Sequence, residues 1–420
     1  MEFKKKAVKK TYRRDEELTK LVSGIIERVK EDGDKELLKL ASQFDRVDLK
    51  NVKVSADDIQ KAYDFVDEMT VNSLKFAAKN IAFYAENQFK CLQNMNVQSP
   101  VKGVTLGHRL IPVERCGAYI PGGRYPLPSS ALMSVITAKI AGVKTVCACC
   151  PPSQKYGNIH PAVLVAMDIA GADEIYSVGG AQAVAAMAYG TETVKKVDLI
   201  VGPGNRFVTE AKRQVLGDVG IDSLAGPSEV LIIADESSNP AYVAIDLLAQ
   251  AEHDPHTKTI LVCTDRETIH QVEEALELFL SELKTNKIAR QSWNDNGQII
   301  LAKDDEEAVK IANEIAPEHL EVQTKHADEM SEQLHNYGSL FIGSYSPVAF
   351  GDYVSGTNHI LPTMGTAKYS NGVWVGTFIK TSFYQKITEE GCRNLSEACM
   401  HLASVEGLLA HKKSVEMRVK

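Results

Sequence analysis

The segments ALMSVITAKIAGV (131–143), TVCACCPP (145–152), PAVLVAMDIAGA (161–172), DEIYSVGG (173–180), AQAVAAMAYG (181–190), KVDLIVGPGN (196–205) and RFVTEAKRQVLG (206–217) follow one another without a long break. Helical patterns alternate here with short apolar strand patterns. Strands separated by helices of this length imply right-handed βαβ crossovers and a parallel sheet. AKIAGVKTV and MDIAGADEI each place a helix, a glycine stop and a new strand, which is βα repetition and not a solenoid. Downstream, VLIIADES (230–237), the helix PAYVAIDLLAQAEH (240–253), TILVCTD (259–265) and a charged helix from about Glu267 to Leu283 repeat the rhythm. A second α/β unit is expected.

Working outward, Asp15 to about Phe89 reads as helical, with Gly33 as a helix end inside LVSGIIERVKEDGDKELLKLASQFD. KGVTLGHRLIPV (102–113) is strand-like and leads into the loop CGAYIPGGRYPLPSS (116–130), where glycines and prolines exclude regular structure. After Tyr369 the chain reads as mostly helical, ending in ASVEGLLAHKKSVEMRV (403–419), a tail able to reach a partner subunit.

A chain of 420 residues exceeds one core, since single cores stop growing at roughly 250–300 residues. The hydrophobic share of 44% and the charged share of 24% are those of a soluble globular protein, and no window approaches the roughly 20 apolar residues of a membrane span. The net charge is −8, and basic residues cluster only in MEFKKKAVKKTYRR (1–14), without aromatic interleaving, which argues against a nucleic-acid partner. That start lacks the apolar core of a signal peptide, so a cytoplasmic protein is expected. Cys147, Cys149 and Cys150 fall in an apolar strand with no second cysteine or histidine cluster at zinc spacing, and they read as reduced packing residues.

Several polar groups invite chemistry. Gln250 and His253 stand three apart where a helix runs into a turn, a spacing that serves either a metal ion or a polar helix end. An amide is a weak zinc ligand and needs partners, for which Asp352 and His411 are candidates. Glu318 and His319 follow Pro317, so the pair is expected to open a helix, with the imidazole suited to proton transfer and the carboxylate to activating water. SVGGAQAVAAM and IVGPGNRFV put glycine turns between strand and helix, which are either phosphate cradles or ordinary tight turns; Gln182 and Asn205 would be the cofactor contacts. Asp352 lies in a turn-rich loop, and His359 and His411 taken singly are more often surface or satisfied core histidines than ligands.

GAYIPGG (117–123), GGAQAVAA (179–186), VGPGNRFVTEAKR (201–213), AGPSE (225–229), QAEH (250–253), APEHLE (316–321), GDYVSGTNHILPT (351–363) and GLLAH (407–411) occur in an order that resembles the histidinol dehydrogenase family over nearly the whole chain. The resemblance implies two incomplete Rossmann-like α/β domains with parallel sheets and helical appendages at both ends. The expected parts are residues 1–24 as an N-terminal segment, 25–105 plus 229–370 as one domain, 106–228 as a second with NAD-binding loops, and 371–420 as a helical segment crossing to the neighbour of a homodimer. It also implies zinc on Gln250, His253 and Asp352, with His411 from the partner chain. NAD contacts at Tyr119, Gln182 and Asn205 follow by the same carry-over, as do substrate contacts at Ser228, His319, His359 and Glu406.

The implied reaction takes a primary alcohol through an aldehyde to a carboxylate with two NAD, using His319 and Glu318 for proton transfer. One stretch departs. Residues 105–134, with Arg124 and Tyr125 where small residues are usual, look more like a branch that oxidises 2,3-dihydroxypropane-1-sulfonate, and FYAENQ (83–88) lacks a Phe-His pair common in that helix. Arg124 would pair with an anionic substrate, whereas L-histidinol is cationic. A non-catalytic paralogue that binds a metabolite is the alternative of another class.

Overall fold

The computed structural model describes residues 2–8, 15–122 and 125–420. The chain opens with a short strand β1 (Glu2–Lys5) and three helices, α1 (Glu16–Leu40), α2 (Ala56–Tyr63) and α3 (Glu68–Lys90). Asp15, Ser55 and Asp67 cap them by accepting backbone N–H bonds, which satisfies donors that a helix start leaves open. Gly33 breaks α1 at φ 53°, ψ −132°, a conformation that requires glycine. The apolar face of α1, including Val22, Ile25, Val29 and Leu37, is buried, each side chain contributing about 1.5–3 kcal/mol relative to exposure.

β2 (Met95–Gln98) and β3 (Val104–Pro112) form a hairpin, after which β4 (Arg115–Tyr119), α4 (Pro128–Ile140), β5 (Thr145–Cys150), α5 (Pro161–Ala170), β6 (Glu174–Ser177), α6 (Gly180–Tyr189), β7 (Leu199–Val201), α7 (Arg206–Val215) and β8 (Gly220–Ile221) build a parallel sheet of order β6-β5-β4-β7-β8. α4 buries nearly all of its residues because it lies on the sheet between α3 and α5, and it is apolar all round. Cys147, Cys149 and Cys150 are buried free thiols of β5, in the packing role their strand pattern suggested. Val52 and Val54 add to the β6 edge through backbone bonds to Ser177 and Ile175. α1 packs on α6 and α7, while α2 and α3 pack on α5 and α4. The opening helices thus lie on the 116–221 sheet, where the sequence grouped 25–105 with 229–370; their apolar faces match the helices of the nearer sheet.

The second sheet comprises β9 (Glu229–Ala234), α8 (Pro240–Ala251), β10 (Lys258–Cys263), α9 (Arg266–Glu282), α10 (Asn286–Asn296), β11 (Gln298–Leu301), α11 (Asp305–Ile315), β12 (His319–Gln323), α12 (Ala327–Ser331), β13 (Ser339–Ile342) and α13 (Val348–Tyr353), with order β1-β11-β10-β9-β12-β13. Only β1 runs antiparallel. Both units are therefore Rossmann-like α/β layers, each buried on both faces.

One expectation fails here. Glu318 and His319 do not open a helix: Ala316, at φ 53°, ends α11, Pro317 turns the chain, and His319 starts β12 opposite Val230 and Ser339. Proline is as acceptable before a strand as at a helix start, and burial between two parallel strands decides. The tail after Tyr369 ends in helices as expected, α14 (Glu389–Val405) and α15 (Leu409–Val419), but a strand the sequence did not announce precedes them: β14 (Ile379–Ile387) pairs with β3 along nine residues. The β-branched and aromatic residues of IKTSFYQKI favour that ladder.

Candidate active site

The two sheets meet around a cavity of about 1150 Å³. One wall comes from the segments that follow β4 and β7, at the C-terminal ends of those strands, where ligands of parallel α/β sheets bind. The other comes from the starts of β9 and β12, the end of α8, and α13.

At the floor, one residue holds two others. The Glu229 backbone N–H donates to Glu318 Oε2 at 2.8 Å, and its carbonyl accepts from His319 Nδ1 at 2.9 Å. Since a carbonyl can only accept, Nδ1 carries the proton and Nε2 is the atom left for chemistry. Nε2 is buried without a hydrogen-bond partner, 3.7 Å from Asp352 Oδ1. Burial pushes the Glu318 carboxyl up to about 8 although His319 pulls it down. Burial also works against the charged form of His319, but Glu318 and Asp352 outweigh it and hold the imidazole above its ordinary value. Asp352 stays below the usual carboxylate range because, against burial, His319, His359 and His253 surround it.

Gln250 closes α8, and its buried amide nitrogen has no hydrogen-bond partner, so the amide is free to turn its oxygen onto an ion. His253 follows past the helix end on the cavity lining, its pKa lowered by desolvation against the pull of Asp352. Nδ1–H of His359 donates to the Asp352 carbonyl at 3.1 Å, and its Nε2 meets Ser130 Oγ at 2.9 Å. Burial lowers the His359 pKa, which keeps that ring neutral and lets Nε2 accept the Ser130 hydroxyl proton.

On the opposite wall, Lys212 and Asp222 form a buried ion pair behind the glycine turn after β7. Lys212 Nζ donates to the Gly202 carbonyl at 3.0 Å, and Gly202 N–H donates to Asp222 Oδ2 at 2.8 Å. A Cβ on Gly202 would lie 2.1 Å from the Tyr119 carbonyl oxygen, so this turn requires glycine. Asn205 caps α7 by accepting from Phe207 and Val208 N–H groups.

Of the residues singled out from the sequence, Asn205, Ser228, Gln250, His253, Glu318, His319, Asp352 and His359 line this one cavity. Tyr119 and Gln182 do not line it. Both are buried behind it, and the Tyr119 hydroxyl accepts the first N–H of α6 from Gly180 at 3.2 Å. Glu406 and His411 are exposed on the α14–α15 hairpin, away from the cavity lining. Arg124 lies outside the described residues; its neighbour Tyr125 lines the cavity. The sequence reading missed Glu229, Ser130, Lys212 and Asp222. AGPSE before an apolar strand was a usable signal for Glu229, but nothing local marks a lysine in a helix as buried.

Among the described residues no three His, Cys, Asp or Glu side chains cluster at metal-binding spacing. One chain offers an amide, an imidazole and a carboxylate in Gln250, His253 and Asp352. For a tetrahedral ion this set lacks one donor.

The histidinol dehydrogenase family model matches residues 8–419. This chain belongs to the histidinol dehydrogenase family. Histidinol dehydrogenase of Methanococcus maripaludis is 47% identical over 398 residues, covering 95% of this chain and 92% of that protein. The Clostridium acetobutylicum histidinol dehydrogenase is 44% identical over 404 residues, 96% of this chain and 93% of its own length. The crystal structure of histidinol dehydrogenase from Elizabethkingia anophelis superposes with a TM-score of 0.93 at 37% identity, covering 98% of this chain and 94% of that one. As a member of the histidinol dehydrogenase family the protein is an enzyme, an oxidoreductase acting on a small molecule. Among its described residues no helix is long and apolar enough to cross a membrane.

Proposed function

We propose that the protein oxidises L-histidinol through an aldehyde to L-histidine with NAD as the electron acceptor and zinc at Gln250, His253 and Asp352. One observation carries the reading: His319 Nε2 faces the cavity unpartnered, with Asp352 at 3.7 Å and Glu318 fixed to the same backbone residue. When bound, zinc supplies a positive charge that orients the alcohol oxygen and offsets the pull of Asp352 on His319, while NAD accepts the hydride.

The chain's own residues do the rest. His319 Nε2 takes the hydroxyl proton, with Nδ1–H anchored on the Glu229 carbonyl so that the ring cannot turn away. Glu318, buried and held by one N–H, takes a proton from the water that attacks the aldehyde carbon, and His319 serves the second oxidation. His359, fixed between Ser130 and the Asp352 backbone, and Ser228 hold the substrate. Asn205 and the turn clamped by Lys212 and Asp222 receive NAD, with Tyr119 and Gln182 supporting those loops from behind.

Two features favour a cationic alcohol over the sulfonate. Among the described residues the arginines lining the cavity, Arg206 and Arg213, lie on α7 beside Asp15 and Glu210 and not at the Glu318–His319 end, where a sulfonate would need one. The relatives above carry the name histidinol dehydrogenase. A binding-only role leaves the Glu318–His319 geometry without purpose.

The fourth metal donor and a further substrate contact are assigned to His411 and Glu406 of a second copy. The α14–α15 hairpin leaves Leu402, Val405, Leu409 and Met417 exposed, an apolar face suited to a homodimer. Turnover with L-histidinol and with 2,3-dihydroxypropane-1-sulfonate tests the substrate: reduction of NAD with L-histidinol alone is expected, and turnover of the sulfonate alone contradicts it.

A further inference from the structure

Beneath the site lies a second polar layer that the mechanism does not use. Glu321 is 1% exposed on β12, and Asp246 faces it from α8. The Gln323 amide nitrogen donates to Asp246 Oδ2 and to Glu321 Oε2, both at 2.8 Å, so the two carboxyl groups converge on one NH₂ group. Glu321 Oε1 accepts the backbone N–H of Val348 at 2.9 Å, the first residue of α13, which has no side-chain cap of its own. Among the described residues neither carboxyl pairs with a lysine, arginine or histidine.

The three attachment points have a common relation to the site. Asp246 lies one helical turn before Gln250, Val348 one turn before Asp352, and Glu321 two residues after His319 on the same strand face. Two buried carboxylates without a cation cannot both stay ionised: burial raises both, and the neighbouring Asp246 charge raises Glu321 further. A proton between them converts that repulsion into a hydrogen bond.

We propose that Glu321 and Asp246 share one proton and act as positioning residues that lock α8, β12 and α13 together, fixing Gln250, His253 and Asp352 at the spacing a metal ion needs. The inference rests on the assignment of Gln250, His253 and Asp352 as metal ligands. It extends that assignment to residues that touch neither metal nor substrate.

The test is zinc affinity of the full-length protein, stripped with a chelator and titrated with zinc against a chromophoric competitor. Supports of metal ligands typically matter by roughly 10–100-fold in affinity, so Glu321→Ala and Asp246→Ala should each weaken zinc by that order while excess zinc restores most of kcat. Asp246→Asn keeps an acceptor for the Gln323 amide and offers N–H to Glu321 where the shared proton stood, and should bind zinc as the wild type does. Folded Ala variants with wild-type zinc affinity overturn the proposal. So does an Asp246→Asn protein as weak as Asp246→Ala, and this variant decides alone if the Ala proteins fail to fold. His253→Ala separates the two levels. If it binds zinc like the wild type, the ligand assignment fails; if it loses zinc while Glu321→Ala does not, only the acid pair fails.

Discussion

The two walls of the cavity are built on opposite principles. The wall after β4 and β7 works through backbone: Gly202 is held from both sides by Lys212 and Asp222, and Asn205 is committed to capping α7. The wall at β9, β12, α8 and α13 works through side chains, with Glu318, His319, Asp352 and Gln250 converging and two polar atoms left unpartnered. A backbone surface suits an extended anionic cofactor; side chains with perturbed protonation suit chemistry.

The contrast breaks most visibly at His319. His319→Asn is expected to lower turnover by about 10²–10⁴-fold, the usual contribution of a positioned acid or base, while NAD affinity measured by fluorescence quenching stays unchanged. On the other wall, Lys212→Met leaves the Asp222 carboxylate buried and unpaired, which costs about 3–5 kcal/mol of stability and should raise the KM for NAD more than that for the alcohol. A chelator should abolish activity, and zinc should restore it, with NAD affinity unaffected throughout. The smallest effect is expected for Ser130→Ala, which removes the hydroxyl on His359 Nε2: about 1 kcal/mol, or roughly fivefold in kcat/KM for the alcohol. An equal loss of NAD affinity in that variant would mean that the walls are not separate.

The alternation of strands and helices was legible because both sheets are parallel and buried on both faces, so their strands are plain apolar runs such as VLIIA. The end of α8 was legible too, since Gln250 and His253 straddle the point where the helix stops. Glu318–His319 misled because a proline followed by an acid marks a helix start and a strand entry alike; only pairing with Val230 and Ser339 distinguishes them. β14 was missed because most of its side chains face solvent, so no buried face imposes a period. Lys212 with Asp222, and Glu321 with Asp246, are long-range pairs that no local spacing announces. The motif residues Tyr119 and Gln182 were found, but sequence places a residue near a turn without saying which way its side chain goes.

The central claim is that Glu318 and His319, standing beside Asp352, carry one alcohol through two successive oxidations without releasing the aldehyde. NADH formed per L-histidinol consumed tests it most directly, with the imidazole product identified in the same reaction. Two NADH per alcohol and L-histidine as the product are predicted; a ratio of one, with histidinal accumulating in solution, would contradict the account.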